Sequence, residues 1–175
     1  RIVVVSAMQA VTDALLGLVA TARRGGDCAP AWTALRQRHL ATADALDPYR
    51  RHDLRATLEA AFDGFRDELA ALANDDDGDR RSAGLPGLGE VWSSFLLHVA
   101  LGGVAAGWER LDAREVLVVH RGELGMTVDW DASRERLAEW RAAHPSPYVV
   151  VTGFVARDAE GHATTLGRNG SDYSA

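Results

Sequence analysis

The sequence predicts an α/β fold, a mainly parallel sheet sandwiched by helices, and three observations lead there. Two short runs rich in β-branched residues, "IVVV" at 2–5 and "YVVVT" at 148–152, read as strands; the first is expected to be buried on both faces, as in a parallel sheet. Between them, long stretches repeat their apolar residues at helical spacing. Strands separated by helices require crossover connections, which favour parallel pairing.

The elements follow in order. After the first strand and Ser6, the residues Val11, Leu15, Leu18 and Val19 mark a helix over 9–23, stopped at Arg24-Gly25-Gly26. Pro30 suits the first turn of a second helix, which carries Trp32, Leu35, Leu40 and Leu46 and breaks at Asp47-Pro48. Asp53 is suited to cap a third, with Leu54, Leu58, Phe62, Phe65, Leu69 and Leu72 along one face. Residues 74–87 turn abruptly to charge and glycine, which predicts an exposed loop with a mobile tip; adjacent carboxylates there lack the fixed geometry of a cation site. Residues 89–107 read as a long apolar helix whose Gly102, Gly103, Ala105 and Ala106 suit close packing on a sheet.

Strand-like runs at 109–111 and 116–119 flank Asp112-Ala113-Arg114, and an amphipathic surface helix spans 131–144 up to Pro145. After the strand at 148–152, "GFVARDAEGHATTL" reads as an antiparallel accessory hairpin turning at Glu160-Gly161. One domain over 1–175 accounts for every element, and no internal repeat or linker is visible.

Composition narrows the function. A net charge of −6 with no basic stripe excludes a general nucleic-acid footprint. No apolar run approaches the roughly 18 residues a membrane span needs. A single cysteine, Cys28, cannot form an internal disulfide, which fits a reducing, cytoplasmic setting. The first residue is an arginine leading directly into a strand, so the visible start is expected to lie inside a longer protein. All 19 basic residues are arginines, so phosphate chemistry that needs a lysine must find it elsewhere.

Ligands of open α/β sheets gather at the carboxyl ends of strands. That rule selects "SAMQAVT" after the first strand, "GLGE" at the head of the apolar helix, and "GRNGSDYSA" at 167–175. In the last, Gly167 and Gly170 permit close backbone approach, Ser171 and Asp172 suit an N-cap and first turn, and Arg168 has the fork that fits a carboxylate or phosphate. Spacing alone makes this a glycine turn capping a helix, with anion binding as the functional alternative. Elsewhere, Gly122-Glu123 heads no apolar helix, so Glu90 is the stronger acidic candidate. His120 reads as a surface residue, His98 as a hydrogen-bonded core or edge histidine, and Trp92, Trp108 and Trp140 as packing anchors.

The strings are more specific than their spacing. "TTLGRNGSDYSA" resembles the aspartokinase segment T-T-L-G-R-G/N-G-S-D-Y-S/T-A, and "VVTGFVARDAEGHATTLGR" before it is similar to the same family's strand and hairpin. "VVVSAMQAVTDALLGLV" resembles V-V-S-A-M-x-x-V-T-D, and "GLGEVWSSFLL" resembles G-E-x-x-S at a helix head. "WERLDAREVLVV" is similar to the wording found in aspartokinases fused to homoserine dehydrogenase. The resemblance covers most of the chain outside 31–84.

It implies the amino-acid kinase fold and transfer of the ATP γ-phosphoryl group to the side-chain carboxylate of L-aspartate. It also implies Mg²⁺, a homo-oligomer in the full-length protein, and a place at the head of lysine, threonine and methionine biosynthesis. By resemblance, Ser6 lies near the transferring phosphate, Thr12 contacts aspartate, Glu90 holds its α-ammonium and Arg168 its carboxylate. Phe154 lines the pocket, Ser171 touches substrate, and Gly170 and Asp172 belong to the phosphate and Mg²⁺ end. The family's K-F-G-G-T-S strand and nucleotide-binding half have no counterpart here, so this segment alone is expected to be inactive and poorly soluble. The alternatives are a noncatalytic amino-acid-binding paralogue, or an amino-acid kinase acting on another carboxylate.

Overall fold

The computed structural model describes residues 1–49, 53–72, 78–122 and 125–167. Three parallel strands form its central sheet: β1 (Ile2–Val5), β2 (Trp108–Leu111) and, between them, β5 (Tyr148–Thr152). β5 pairs Val149 with Ile2 on one side and with Glu109 on the other, so the last of the three strands in sequence is central in space. β-branched side chains fit this pleated setting, and Val149 and Val150 are both buried on opposite faces of it.

One face of the sheet carries four helices, α1 (Val11–Arg23), α2 (Ala29–Leu46), α3 (Leu54–Leu72) and, beyond the short α4 (Gly78–Ser82), α5 (Leu88–Ala100). The apolar stripes expected for α1 and α3 are the ones buried, and Leu15, Leu58 and Phe62 are completely inaccessible. At the centre, Phe62 stacks on Trp92 with ring centroids 4.1 Å apart, and the edge of His39 meets Trp92 at 5.1 Å. Such ring pairs add about 0.5–1.5 kcal/mol beyond their buried area. The opposite face carries α6 (Trp130–Ala143), whose Trp140 packs on Leu111, Val149 and Val151. Asp129 caps α6 by accepting a hydrogen bond from the Ala132 amide at 3.0 Å. Two hairpins complete the fold, β3 (Val119–Gly122) with β4 (Gly125–Val128), and β6 (Val155–Arg157) with β7 (Ala163–Thr165).

Several expectations are corrected. The burial expected on both faces of β1 is not seen within the described residues: its one strand partner among them is β5, and Ile2 is 73% exposed. Residues 78–87 are not an exposed loop. They form α4 and a 3₁₀ turn (Leu85–Gly87), with Gly78, Ser82 and Leu85 buried. A Cβ on Gly84 would stand 2.6 Å from that of Ala163, so this segment is pressed onto the β6–β7 hairpin. The charged tip at 73–77 lies outside the described residues.

The small residues at 102–106 are not part of the long helix either. α5 ends at Ala100, and Gly102, Gly103 and Gly107 take positive φ around a 3₁₀ turn (Val104–Ala106), a backbone path that glycine allows at little cost. Of the run at 116–119 only Val119 is in a strand.

Candidate functional site

The carboxyl ends of β1, β5 and β2 lie side by side, because the three strands are parallel and adjacent. The segments leaving these strands therefore converge on one rim of the sheet. Ser6 and Ala7 come directly after β1, Gly153 and Phe154 after β5, and Asp112 after β2. The Gly153 amide donates to the Val5 carbonyl at 2.9 Å, which ties the exits of β5 and β1 together.

α5 enters the same rim. Its first turn carries Gly89 and Glu90, and a Cβ on Gly89 would lie 2.7 Å from Ala7 Cβ and 2.8 Å from Val11 Cγ1. Only a glycine lets the helix come this close. The approach places the Glu90 carboxylate beside the β1–α1 turn, where the Ala7 amide and its own amide favour the charged form. Glu90 is 4% exposed, and its Oε2 has no hydrogen-bond partner among the described residues. Burial pushes its carboxyl up to about 7, against the pull of those two amides. A buried carboxylate left half satisfied at a helix N-terminus is a strong acceptor for a cation.

Two residues on this rim hold backbone that side chains rarely adopt. Ala10, the N-cap of α1, has φ 62° and Phe154 has φ 65°. Left-handed backbone at a non-glycine residue costs of order 1 kcal/mol, and such strain clusters where a site fixes the chain. At Phe154 the distortion turns the chain from β5 into β6, and the Leu166 amide closes the turn onto the Phe154 carbonyl at 2.8 Å.

On the β2 side, Asp112 forks onto Arg114, with Nε at 2.9 Å and Nη2 at 2.6 Å, and accepts the Arg114 amide at 3.1 Å. Burial alone would raise the Asp112 carboxyl, but Arg114 more than offsets this and holds it below the usual carboxylate range. The Ala113 amide donates to buried Thr152 Oγ1 at 2.7 Å, which locks this turn to the end of β5.

Of the residues that the sequence nominates, the structure thus gathers Ser6, Thr12, Glu90 and Phe154 at one rim. Ser6 is exposed beside Ala7, and Thr12 is half-buried in the first turn of α1 beside Val11. Arg168, Gly170, Ser171 and Asp172 lie outside the described residues, as does Glu123. The Asp112–Arg114 fork is the feature of the rim that sequence reasoning missed; the Asp-x-Arg spacing, which permits it, was the available signal.

The cavity of about 1420 Å³ on the α6 face of the sheet is a separate feature, lined by Leu111, Trp140 and Val149 and by none of those four residues. In the β6–β7 turn, ligand atoms of Asp158, Glu160 and His162 come within 4.8 Å of one another. The Arg80 guanidinium already stands 2.9 Å from His162 Nδ1 and 3.7 Å from the Asp158 and Glu160 carboxylates, and offsets part of their charge. His98 is half-buried and bonded to the Trp108 carbonyl at 3.0 Å, and His120 is exposed.

Parallel strands between helix layers, with an acidic helix head turned onto the first strand's exit, define a partial α/β domain of the aspartokinase kind. No protein-family model matches the chain. The chain is an aspartokinase-like segment, and its homologues are bifunctional aspartokinase/homoserine dehydrogenases. It is 41% identical over 121 residues to bifunctional aspartokinase/homoserine dehydrogenase 2 of Escherichia coli K12, an alignment covering 68% of this chain and 15% of that protein. The chloroplastic bifunctional enzymes numbered 2 of Arabidopsis thaliana and Zea mays are 31% and 33% identical, covering all of this chain and 20% of each relative.

Escherichia coli aspartokinase III, solved with aspartate and ADP, superposes with a TM-score of 0.84 at 25% identity, over all of this chain and 38% of that one. Its complex with lysine and aspartate gives 0.83. An aspartate kinase from Clostridium acetobutylicum, at 20% identity and TM-score 0.73, shares the fold. The chain spans about a fifth or less of the length of the curated relatives it matches.

Proposed function

We propose that this chain is the amino-acid-binding portion of an aspartate kinase, which transfers the γ-phosphoryl group of ATP to the side-chain carboxylate of L-aspartate and yields 4-phospho-L-aspartate. The observation that carries the reading is Glu90: a buried carboxylate beside the β1–α1 turn, with one oxygen free for a cation. Aspartate presents one ammonium and two carboxylates. Glu90 takes the ammonium, Arg168 forks onto the α-carboxylate with Ser171 beside it, and Thr12 and Phe154 bound the side chain as it points towards Ser6. Solved relatives named as complexes with aspartate, one of them also with ADP, support this assignment.

ATP supplies the phosphoryl group when bound, and Mg²⁺ neutralises its phosphates. The described part of that end is Ser6, whose exposed hydroxyl beside the strained entry to α1 fits a phosphate oxygen; Gly170 and Asp172 complete it in the proposal. Positioning and charge neutralisation dominate phosphoryl transfer, so the protein's task is to hold the two reactants in line. With no lysine among its 175 residues, the segment alone is proposed to be inactive, and the working enzyme is a longer, homo-oligomeric cytoplasmic polypeptide, with a homoserine dehydrogenase part like its relatives. The reaction would open the biosynthesis of lysine, threonine and methionine.

The test is to trap the acyl phosphate as its hydroxamate with the complete polypeptide, ATP and Mg²⁺, offering aspartate and glutamate separately. Turnover of aspartate in strong preference is expected. Equal turnover of glutamate would remove the substrate assignment, and no turnover of either would favour a noncatalytic amino-acid binder.

A further inference from the structure

Glu90 is not the only buried polar group of α5 left without a partner. Ser93, one turn further on, is 5% exposed, and its Oγ makes no hydrogen bond to any described residue. By contrast, the neighbouring Ser94 is fully satisfied, donating to the Val91 carbonyl at 2.7 Å, and it turns to Arg110 of β2 instead. Residues three apart share a helix face, and a helical side chain leans towards the turn before its own Cα. Ser93 therefore shares a helix face with Glu90, one turn along.

The azimuth fits as well. Ser93 falls in azimuth between Glu90 and Gly89, whose close approach to Ala7 and Val11 marks the β1–α1 side of the helix. Two buried oxygens on one face, unbonded to each other, each lack a partner. An unpaired buried hydroxyl costs roughly 1–3 kcal/mol, so its retention calls for a ligand group that satisfies it. A single group that serves both oxygens must offer at least two donors, the ionised carboxylate favours one that is positively charged, and a primary ammonium has both properties.

We infer that Ser93 is a second acceptor for the substrate's α-ammonium, so that Glu90 Oε2 and Ser93 Oγ together form its pocket. This rests on the aspartate kinase reading. It adds a specificity element: a diacid of the same length without the amino group gains nothing from Ser93.

The experiment uses the complete kinase polypeptide and compares wild type with Ser93→Ala and Ser93→Cys. Aspartate kinetics are measured alongside inhibition by succinate, which is aspartate without its amino group. Losing one charge-assisted hydrogen bond is expected to raise the aspartate KM roughly tenfold to a hundredfold in Ser93→Ala while leaving the ATP KM and the succinate inhibition constant unchanged. The thiol of Ser93→Cys, a weak acceptor of similar size, should restore little of the loss. Equal weakening of aspartate and succinate, or recovery by cysteine, would make Ser93 a packing residue and overturn the inference. So would an unchanged aspartate KM. If Glu90→Gln also leaves the aspartate KM unchanged, or wild type does not phosphorylate aspartate, the underlying reading itself has failed.

Discussion

Gly89 and Ala7 touch so closely that a methyl group on Gly89 would stand 2.7 Å from the methyl of Ala7. This contact sets the height of α5 over the strand exit and hence the position of Glu90. Gly89→Ala gains about 1 kcal/mol of helix propensity but meets Ala7 Cβ at 2.7 Å and Val11 Cγ1 at 2.8 Å, and overpacking of this kind costs about 1–3 kcal/mol. The expected outcome is a lower thermal midpoint together with a raised aspartate KM in the complete enzyme. A more stable variant with unaltered kinetics would contradict the role given to this contact.

Glu90 makes the site pH-dependent. Its carboxyl ionises near 7 in the folded chain against 4.5 for an ordinary glutamate, and only the ionised form attracts an ammonium. kcat/KM for aspartate should therefore climb with pH below about 7 and level off above it, a limb that Glu90→Gln removes.

Stability without ligand moves the other way. A carboxyl whose folded value is raised loses stability as pH increases from the unfolded to the folded value, here by about 3 kcal/mol at most. Glu90→Gln should consequently unfold at higher denaturant than wild type at pH 8, and the two should differ far less at pH 5.

Asp112 has the opposite sign. Held below the usual carboxylate range by Arg114, it contributes stability at neutral pH that is lost as acid protonates it. Asp112→Ala leaves the Arg114 guanidinium and amide without their acceptor. A loss of about 2 kcal/mol is expected, less than for a fully buried pair because Arg114 keeps some access to water. Denaturation at pH 7 and pH 3 checks it: the difference between variant and wild type should shrink in acid.

Ala10 offers a clean measure of strain. It is exposed, stands outside α1, and holds φ 62°. Ala10→Gly relieves a left-handed penalty of about 1–2 kcal/mol and adds unfolded-state freedom of slightly less, so a net gain of about 0.5 kcal/mol is expected in equilibrium unfolding.

The helices were legible because each announces itself locally. In α3, six apolar side chains at helical spacing are the six that become buried. The β3–β4 hairpin was not legible, since Glu123-Leu124 joins it in place of the Asn-Gly or Asp-Gly that signals a tight turn, and "VVHRGELG" reads as one strand running into a loop. The exposure of β1 was equally hidden. Its four β-branched or aliphatic residues fit a buried strand, whereas how far they are covered depends on which strands pair. At the site, the string "GLGE" marked Glu90, but the contact of Gly89 with Ala7 that positions it joins segments over eighty positions apart in the chain. Ser93 stood inside a recognisable motif, and only its burial without a partner set it apart from Ser94.

The central place of β5 also dictates an order of events. Among the described residues β1 and β2 pair with β5 and not with each other, so neither of these two ladders can close until residues 148–152 have emerged. The helices α1, α2, α3 and α5, whose contacts are nearer in sequence, can collapse well before that. Long-range parallel pairing is intrinsically slow because the loop-closure entropy precedes the reward. During synthesis β1 and β2 must therefore wait for a single five-residue strand, which joins them into one sheet against the helical layer.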